Sequence, residues 1–182
     1  MVNYYFDIET QGFNPEIDKI ISIQFQELDQ QGKPKGPLTI LKEWESNEKD
    51  IVVAFYKKLY ISNVWSFVPV GYNLIFDFTF LWAKFKKYNL EVPTLDKYLY
   101  SKPIIDLKSP LVIANNLDFK GSSLDRMTNK ETNGGDIPNF YNNKEFNKIE
   151  NYIKQETESF IECLEKLRTK LMEAFNKNVQ VK

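Results

Sequence analysis

The chain is predicted to fold as one α/β domain, residues 1–182. Three observations predict it: an apolar first strand that ends in acidic residues, two further strands that complete a meander, and helices that alternate with strands before a long terminal helix. A chain of 182 residues has room for one hydrophobic core and little for a second. Val2 to Ile8 is rich in β-favouring residues and closes on Asp7 and Glu9. From Lys19 to Leu28 apolar and polar residues alternate, DQQGKPKG supplies turn chemistry, and PLTILKEW resumes as a third strand. Asn47 to Ile61 carries Ile51, Phe55 and Leu59 at helical spacing, with Ser46 as the expected N-cap. FVPVGYN, closing on Gly71, reads as a fourth strand, and Ile75 to Tyr88 as a strongly apolar helix. Further on, a fifth strand is expected at PIIDLK and a short helix near SSLDRM. Thr132 to Asn143, rich in Gly and Asn, is expected to be a mobile loop, and Lys144 to Asn176 the terminal helix.

Composition narrows the chemistry. With 42% hydrophobic and 27% charged residues the chain has the balance of a folded soluble protein. One cysteine, Cys163, excludes an internal disulfide and a cysteine metal cage, and is read as packing. The absence of histidine removes the commonest general base, the commonest transition-metal ligand and every serine–histidine or cysteine–histidine arrangement. Catalysis must therefore use carboxylates, tyrosine, lysine, or metals bound through oxygen. A net charge of −1 argues against whole-molecule attraction to nucleic acid, although cations bound by carboxylates would invert the local field. The start MVNYYFDIET lacks a basic segment followed by an apolar one, and no window approaches the ~20 apolar residues of a spanning helix, so a cytoplasmic protein is expected.

Three acidic clusters carry candidate chemistry. Residues two apart in a strand face the same way, so Asp7 and Glu9 present adjacent carboxylates at the strand's end. Like charges that close repel unless something positive lies between them, and a hard divalent cation, which prefers oxygen, is the natural neutraliser. Taken alone the pair is equally an exposed acidic patch before a loop, but its apolar flanks indicate burial, where unpaired carboxylates are costly. Asp77 falls in the first turn or so of the expected helix, amid Phe76, Phe78, Phe80, Leu81 and Trp82. Its bland role is to complement the helix dipole, worth under ~1 kcal/mol; its apolar surroundings favour an active-site role. Tyr152 and Glu156, four apart, share one face of the terminal helix beside the stripe Ile149, Ile153, Phe160, Leu164, Leu167 and Leu171. Considered alone, that segment reads more simply as the border of an amphipathic helix. Phe13, Trp65, Phe67, Tyr72 and Trp82 either stack bases or, more simply, fill the core. Lys84, Lys86 and Lys87 either meet phosphates or form a solvated helix face, the simpler reading, and Lys108, Lys120 and Arg126 are open in the same way.

Together FDIET, GYNLIFDF and NYIKQE resemble the three motifs of the DEDD superfamily of 3′–5′ exonucleases, in its tyrosine-bearing (DEDDy) branch. Through FDIET, PVGYNL, the DLK segment and a terminal helix with a glutamate, the chain also closely resembles stand-alone predicted exonucleases related to the proofreading domain of family B DNA polymerases. Asp7 and Glu9 match Asp-x-Glu; Asn73, Phe76 and Asp77 match Asn-x-x-Phe-Asp; Tyr152 matches the tyrosine of Tyr-x-x-x-Asp, whose last position is here Glu156. The resemblance runs across most of the chain and implies a ribonuclease-H-like mixed five-stranded sheet, an antiparallel meander plus parallel strands, flanked by helices. It also implies two divalent cations, Mg2+ or Mn2+, with Asp7 touching both, Glu9 and Glu156 on the nucleophile's side and Asp77 on the other. Tyr152 would orient the attacking water. Thr10, Asn73 and Phe76 would contact a single-stranded or frayed 3′ end of DNA or RNA, from which nucleoside 5′-monophosphates are released. The rival readings are a catalytically inactive nucleic-acid-binding module and a structure-specific endonuclease on the same fold.

Overall fold

The computed structural model describes residues 1–60, 63–127 and 134–179. Five strands form one sheet, β1 (Asn3–Thr10), β2 (Ile20–Leu28), β3 (Thr39–Lys42), β4 (Val68–Gly71) and β5 (Ile105–Asp106), in the order β3-β2-β1-β4-β5. β1, β2 and β3 pair antiparallel, while β4 runs parallel to β1 and β5 parallel to β4. The expected mixed five-stranded α/β sheet is therefore present, with β1 at its centre.

Helices cover both faces: α1 (Glu48–Leu59), α2 (Leu74–Lys87), α3 (Leu95–Tyr100), α4 (Lys108–Ala114), α5 (Leu124–Met127), α6 (Ile137–Asn142) and α7 (Phe146–Val179). The alternation of β1 explains how. Tyr4, Phe6 and Ile8 enter the core shared with α1 and α2, where Phe6 stacks on Phe55 at 5.0 Å. Tyr5 points the other way, its ring 5.0 Å from Phe160 of α7. Ile149 and Ile153 of α7 pack beside Ile21 of β2. A strand buried on both faces reads as a nearly continuous apolar run, which is what Val2 to Ile8 shows.

Several local expectations are corrected. Asn47, not Ser46, caps α1, its side chain accepting the Asp50 N–H at 2.9 Å. Ser46 instead ends a 3-10 turn (Glu43–Glu45) that cuts the third strand short at Lys42. The fifth strand has two residues, and α3 and α4 are short helices that no clear periodicity announced. The expected loop to Asn143 is largely ordered from Gly134 onward, as a 3-10 turn (Gly134–Asp136) and then α6; Thr132 and Asn133 lie outside the described residues. Pro138 sits in the first turn of α6, where a missing N–H costs nothing, and Ile137 is buried beside Ile21 and Tyr152. Lys84 is not on a solvated face: it is fully buried, while Lys86 and Lys87 point outward. Leu171 is 46% exposed, so the apolar stripe of α7 runs on past the body of the domain. No described helix is long and apolar enough to cross a membrane.

Candidate active site

The site forms where β4 abandons β1. The two strands pair from Asn3 to Tyr5, after which the chain leaves β4 at Gly71 for α2. A Cβ at Gly71 would lie 2.6 Å from the Phe6 carbonyl oxygen, so only glycine lets the backbones pass this closely. Beyond that point the β1 edge has lost its neighbour, and the Ile8 N–H donates to Asp77 Oδ1 at 3.1 Å. A buried backbone donor must find an acceptor, and the first turn of α2 supplies it. Asn73, just before that helix, is left-handed (φ 60, ψ 39), a conformation asparagine tolerates better than most residues, and its side chain does not cap α2. Asp106, from β5, caps instead: it accepts the N–H groups of Asn73, Leu74 and Lys108, each at 2.9 Å. Lys108 Nζ then donates to Asn73 Oδ1 at 2.8 Å, which holds a cation beside the start of α2.

On the sheet face covered by α7, Asp7, Glu9 and Glu156 each offer a carboxylate oxygen, and the three atoms lie within 4.8 Å of one another. Gln24 of β2, opposite Asp7 in register, donates to Asp7 Oδ2 at 2.7 Å and more weakly to Glu9 Oε1 at 3.4 Å. Ser22 donates to Gln24 Oε1 at 3.0 Å, which turns the amide so that its NH2 faces the acids. Asp77 is 2% exposed, and burial together with the Asp7 charge raises its carboxyl well above the usual range. Tyr152 is hydrogen-bonded to Glu156, and burial, then Glu9 and Glu156, push its hydroxyl far above the ordinary tyrosine value. Gly134 closes over that hydroxyl, since a Cβ there would sit 2.9 Å from it. Beneath, burial first and then Asp7 and Glu156 raise the Tyr5 hydroxyl as well.

Two unit charges no more than 4.8 Å apart repel by about 3.5 kcal/mol or more at an effective dielectric of about 20. The donor set is oxygen only, partly buried and multiply negative, which suits a hard divalent cation and fits the implied Mg2+ or Mn2+. Asp7, Glu9 and Glu156 are thus brought together, Asp77 is tied to the same strand, and Tyr152 adjoins Glu156. Thr10 follows Glu9 across a β-bulge and donates to Gly12 O at 2.6 Å; Phe76 precedes Asp77 and is half-buried. Of the candidate base-stacking aromatics, Phe67 is core, Tyr72 donates to Ser122 O, and Trp82 to Pro93 O. Trp65 is half-exposed but adjoins Val2, at the opposite end of β1. Lys120 and Arg126 are exposed.

Gln24, Ser22, Asp106 and Gly134 were missed by sequence reasoning. The polar alternation of Ser22 and Gln24 in β2 was a signal that something polar faces them. Asp106 was visible only as part of an Asp-Leu-Lys segment with no assigned task.

An α/β domain whose central strand ends in an oxygen-only carboxylate cluster is the class of protein that fold and site define. The chain belongs to the RNase_H superfamily, its RNase_H_2 family model matching residues 4–167. No functionally curated protein matches it by sequence. Among solved structures it is similar to the zinc-ion-bound form of the E. coli ExoI–ssDNA complex, with 13% identity and a TM-score of 0.67 over 97% of this chain and 42% of that one. It is also similar to E. coli Exonuclease I in complex with a dA16 oligonucleotide, with 15% identity, a TM-score of 0.51 and coverage of 66% and 31%. At these identities the likeness shows the fold, and the chain spans 31% to 42% of the length of those structures.

Proposed function

We propose that this chain is a metal-dependent 3′–5′ exonuclease that releases nucleoside 5′-monophosphates from the single-stranded or frayed 3′ end of a nucleic acid by hydrolysing the terminal phosphodiester. The observation that carries the reading is the convergence of Asp7, Glu9 and Glu156 on one 4.8 Å cluster, with Asp77 hydrogen-bonded to the strand between them. Three carboxylates from two distant segments crowd together there with an amide donor, Gln24, among them, an arrangement that a bound cation would relieve.

Asp7, Glu9, Asp77 and Glu156 would hold the divalent cations, Mg2+ or Mn2+, which when bound supply the Lewis acidity and charge neutralisation that phosphodiester hydrolysis requires. The chain's own groups do the rest. Gln24 holds Asp7 and Glu9 at fixed spacing, the positioning that outer hydrogen bonds give to metal ligands. Tyr152, its hydroxyl raised, stays protonated at neutral pH, so it acts as a donor that orients water rather than as a base. Thr10, Asn73 and Phe76 contact the 3′-terminal nucleotide, and Lys108, pinned to Asn73, sets a positive charge beside a backbone phosphate. Tyr152 together with the three motifs supports the tyrosine-bearing DEDD branch and kinship with polymerase proofreading domains.

The test is a 5′-labelled oligonucleotide incubated with Mg2+ or Mn2+. A ladder shortening one nucleotide at a time from the 3′ end is expected, and Asp7→Ala should abolish it. Internal cutting, or a ladder that persists in Asp7→Ala, would defeat the reading.

A further inference from the structure

α7 continues beyond the domain it helps to build. From Arg168 to Phe175 every side chain is exposed, and the backbone stays helical to Val179, an overhang of about 18 Å. That overhang is not polar all round: Leu171, Met172 and Phe175 are 46%, 49% and 66% exposed. A helical end of this length is marginal in water unless its apolar face is covered.

Its residue spacing points to another helix as the cover. Ile161, Leu164, Arg168, Leu171 and Phe175 follow at alternating intervals of three and four residues, the repeat by which one helix packs along another. Arg168 is the one charged residue in that seam. A lone polar seam residue fixes register and partner number. The first two seam residues lie on the domain. Leu164 reaches the turn at Gly32, and Ile161 borders an open groove of about 470 Å³ between α7 and the β2–β3 hairpin. Pro34 and Leu38 wall that groove, and Glu158, Glu162 and Glu165 edge it. One helix thus joins an apolar ridge that nothing covers to a groove that nothing fills.

We propose that α7 pairs antiparallel with α7 of a second copy of this chain in a two-fold dimer, the overhang of each copy filling the groove of the other. Two-fold symmetry makes such a contact self-complementary. Charge sets the register. With Ile161 opposite Leu171 of the second copy, Leu164 meets Arg168 and Thr157 meets Phe175, every pair centred on residue 166. Arg168 then lies beside Glu165 of the second copy, so two arginines and two glutamates gather at the axis. Glu165 already meets Lys33 at 3.6 Å, but both side chains are more than half exposed, and so loose a pair leaves the carboxylate able to accept Arg168. Sliding one helix outward by a heptad sets Arg168 against Leu171 and Met172 and empties the groove, which rejects that alignment. The paired stretch from Thr157 to Phe175 is about 27 Å long. Tyr152 and Glu156 lie well round the helix from Ile161, so the acid cluster stays uncovered, and the dimer does not rest on the exonuclease reading.

The experiment is sedimentation of the full chain across the micromolar range, joined to thermal unfolding at the same concentrations. The parent should sediment as a dimer whose Tm rises with concentration. Leu171→Glu combined with Phe175→Glu should give a monomer with unchanged circular dichroism and a concentration-independent Tm, since both side chains stand outside the domain body. Arg168→Glu and Glu165→Arg should each raise the dimer Kd by about tenfold or more, because four like charges then meet at the axis, and the two together should restore it. For register, Ile161→Cys mixed with Leu171→Cys should cross-link on oxidation, while Leu171→Cys alone should not. A monomeric parent, whether its overhang stays free or is taken by a different protein, overturns the proposal. So does a dimer that survives the Leu171→Glu, Phe175→Glu change, a double charge variant that fails to recover, or Leu171→Cys that links to its own copy, as a parallel pair would.

Discussion

Asp77→Asn should stabilise the metal-free protein while abolishing cleavage, and the gain should grow with pH. Asparagine keeps the oxygen that accepts the Ile8 N–H at 3.1 Å. What it removes is a carboxyl 2% exposed, whose ionisation is opposed by burial and by Asp7. Each unit by which a folded group departs from its ordinary pKa corresponds to about 1.4 kcal/mol. An acid whose folded value is raised above the ordinary 3.8 binds its proton more tightly folded than unfolded, so stability is lost as pH climbs from 3.8 to the folded value. Parent and variant should therefore be equal near the bottom of that window and separate above it, with Asp77→Asn ahead at neutral pH by roughly the 1–3 kcal/mol that an ill-compensated buried polar group costs. That is roughly 2–4 °C in Tm for each kcal/mol. Divalent cation should reverse the order. A parent at one hundred times its metal Kd gains about 2.7 kcal/mol, and a variant short of one ligand gains less. Urea denaturation in EDTA across the acid-to-neutral range, repeated with Mn2+, measures both effects. A variant less stable than the parent at neutral pH in EDTA, or a pH-independent difference, would show that Asp77 does not carry a frustrated charge.

Tyr152→Phe keeps the ring packed among Ile21, Ile137 and Ile149 and removes the bond to Glu156, so single-turnover cleavage should fall by about 10² while metal affinity by calorimetry stays within a few-fold; an unchanged rate removes Tyr152 from the mechanism. Glu48→Gln should cost about 3 kcal/mol, because it leaves Lys84, fully buried and 3.5 Å from Glu48 Oε1, as an uncompensated charge. Adding Lys84→Met should recover most of that loss. Burial pushes the Glu48 carboxyl up, but Lys87, Tyr88, the Ile20 N–H and Lys84 more than offset it and leave it below the ordinary 4.5. The parent's advantage over Glu48→Gln should therefore be complete above pH 4.5 and vanish as pH falls through the lowered folded value. Equal stability of the two proteins at neutral pH would refute the assignment.

Elements with strong periodicity were legible in sequence, and those held by tertiary contacts were not. β1, β2, α1, α2 and α7 announce themselves by alternation or helical spacing. α6 does not: its Gly- and Asn-rich sequence reads as loop, and what orders it is the burial of Ile137 against Ile21 and Tyr152. Lys84 reads as solvated because it stands beside Lys86 and Lys87, yet it is turned inward: Lys84 and Lys87, three residues apart, both meet Glu48 from another helix, while Lys86 points away. The carboxylates were found one by one from strand and helix geometry, but their meeting came only from family resemblance, since no local pattern encodes a contact across seventy or more positions. Gln24 needed the register of the β1–β2 hairpin, and that register shifts at a bulge between Glu9 and Thr10, which composition does not reveal.

The fold and the site share one cause, the early end of β4. Were β4 to continue alongside β1 past Tyr5, a backbone carbonyl would take the Ile8 N–H, and Asp77 would have no reason to enter the core. Gly71 lets the chain pass against Phe6, and Asp106 stabilises the turn by accepting three N–H groups, so α2 starts where its first turn can reach the open strand edge. On the other face Tyr5 separates β1 from α7, its ring packed on Phe160. An acid on α7 must reach across that spacing to join Asp7 and Glu9, and the extra methylene of Glu156 gives it the length to do so. Glutamate where the resembled motif has aspartate is thus consistent with a cluster that closes within 4.8 Å, because reach at this position is set by the helix's standoff from the sheet.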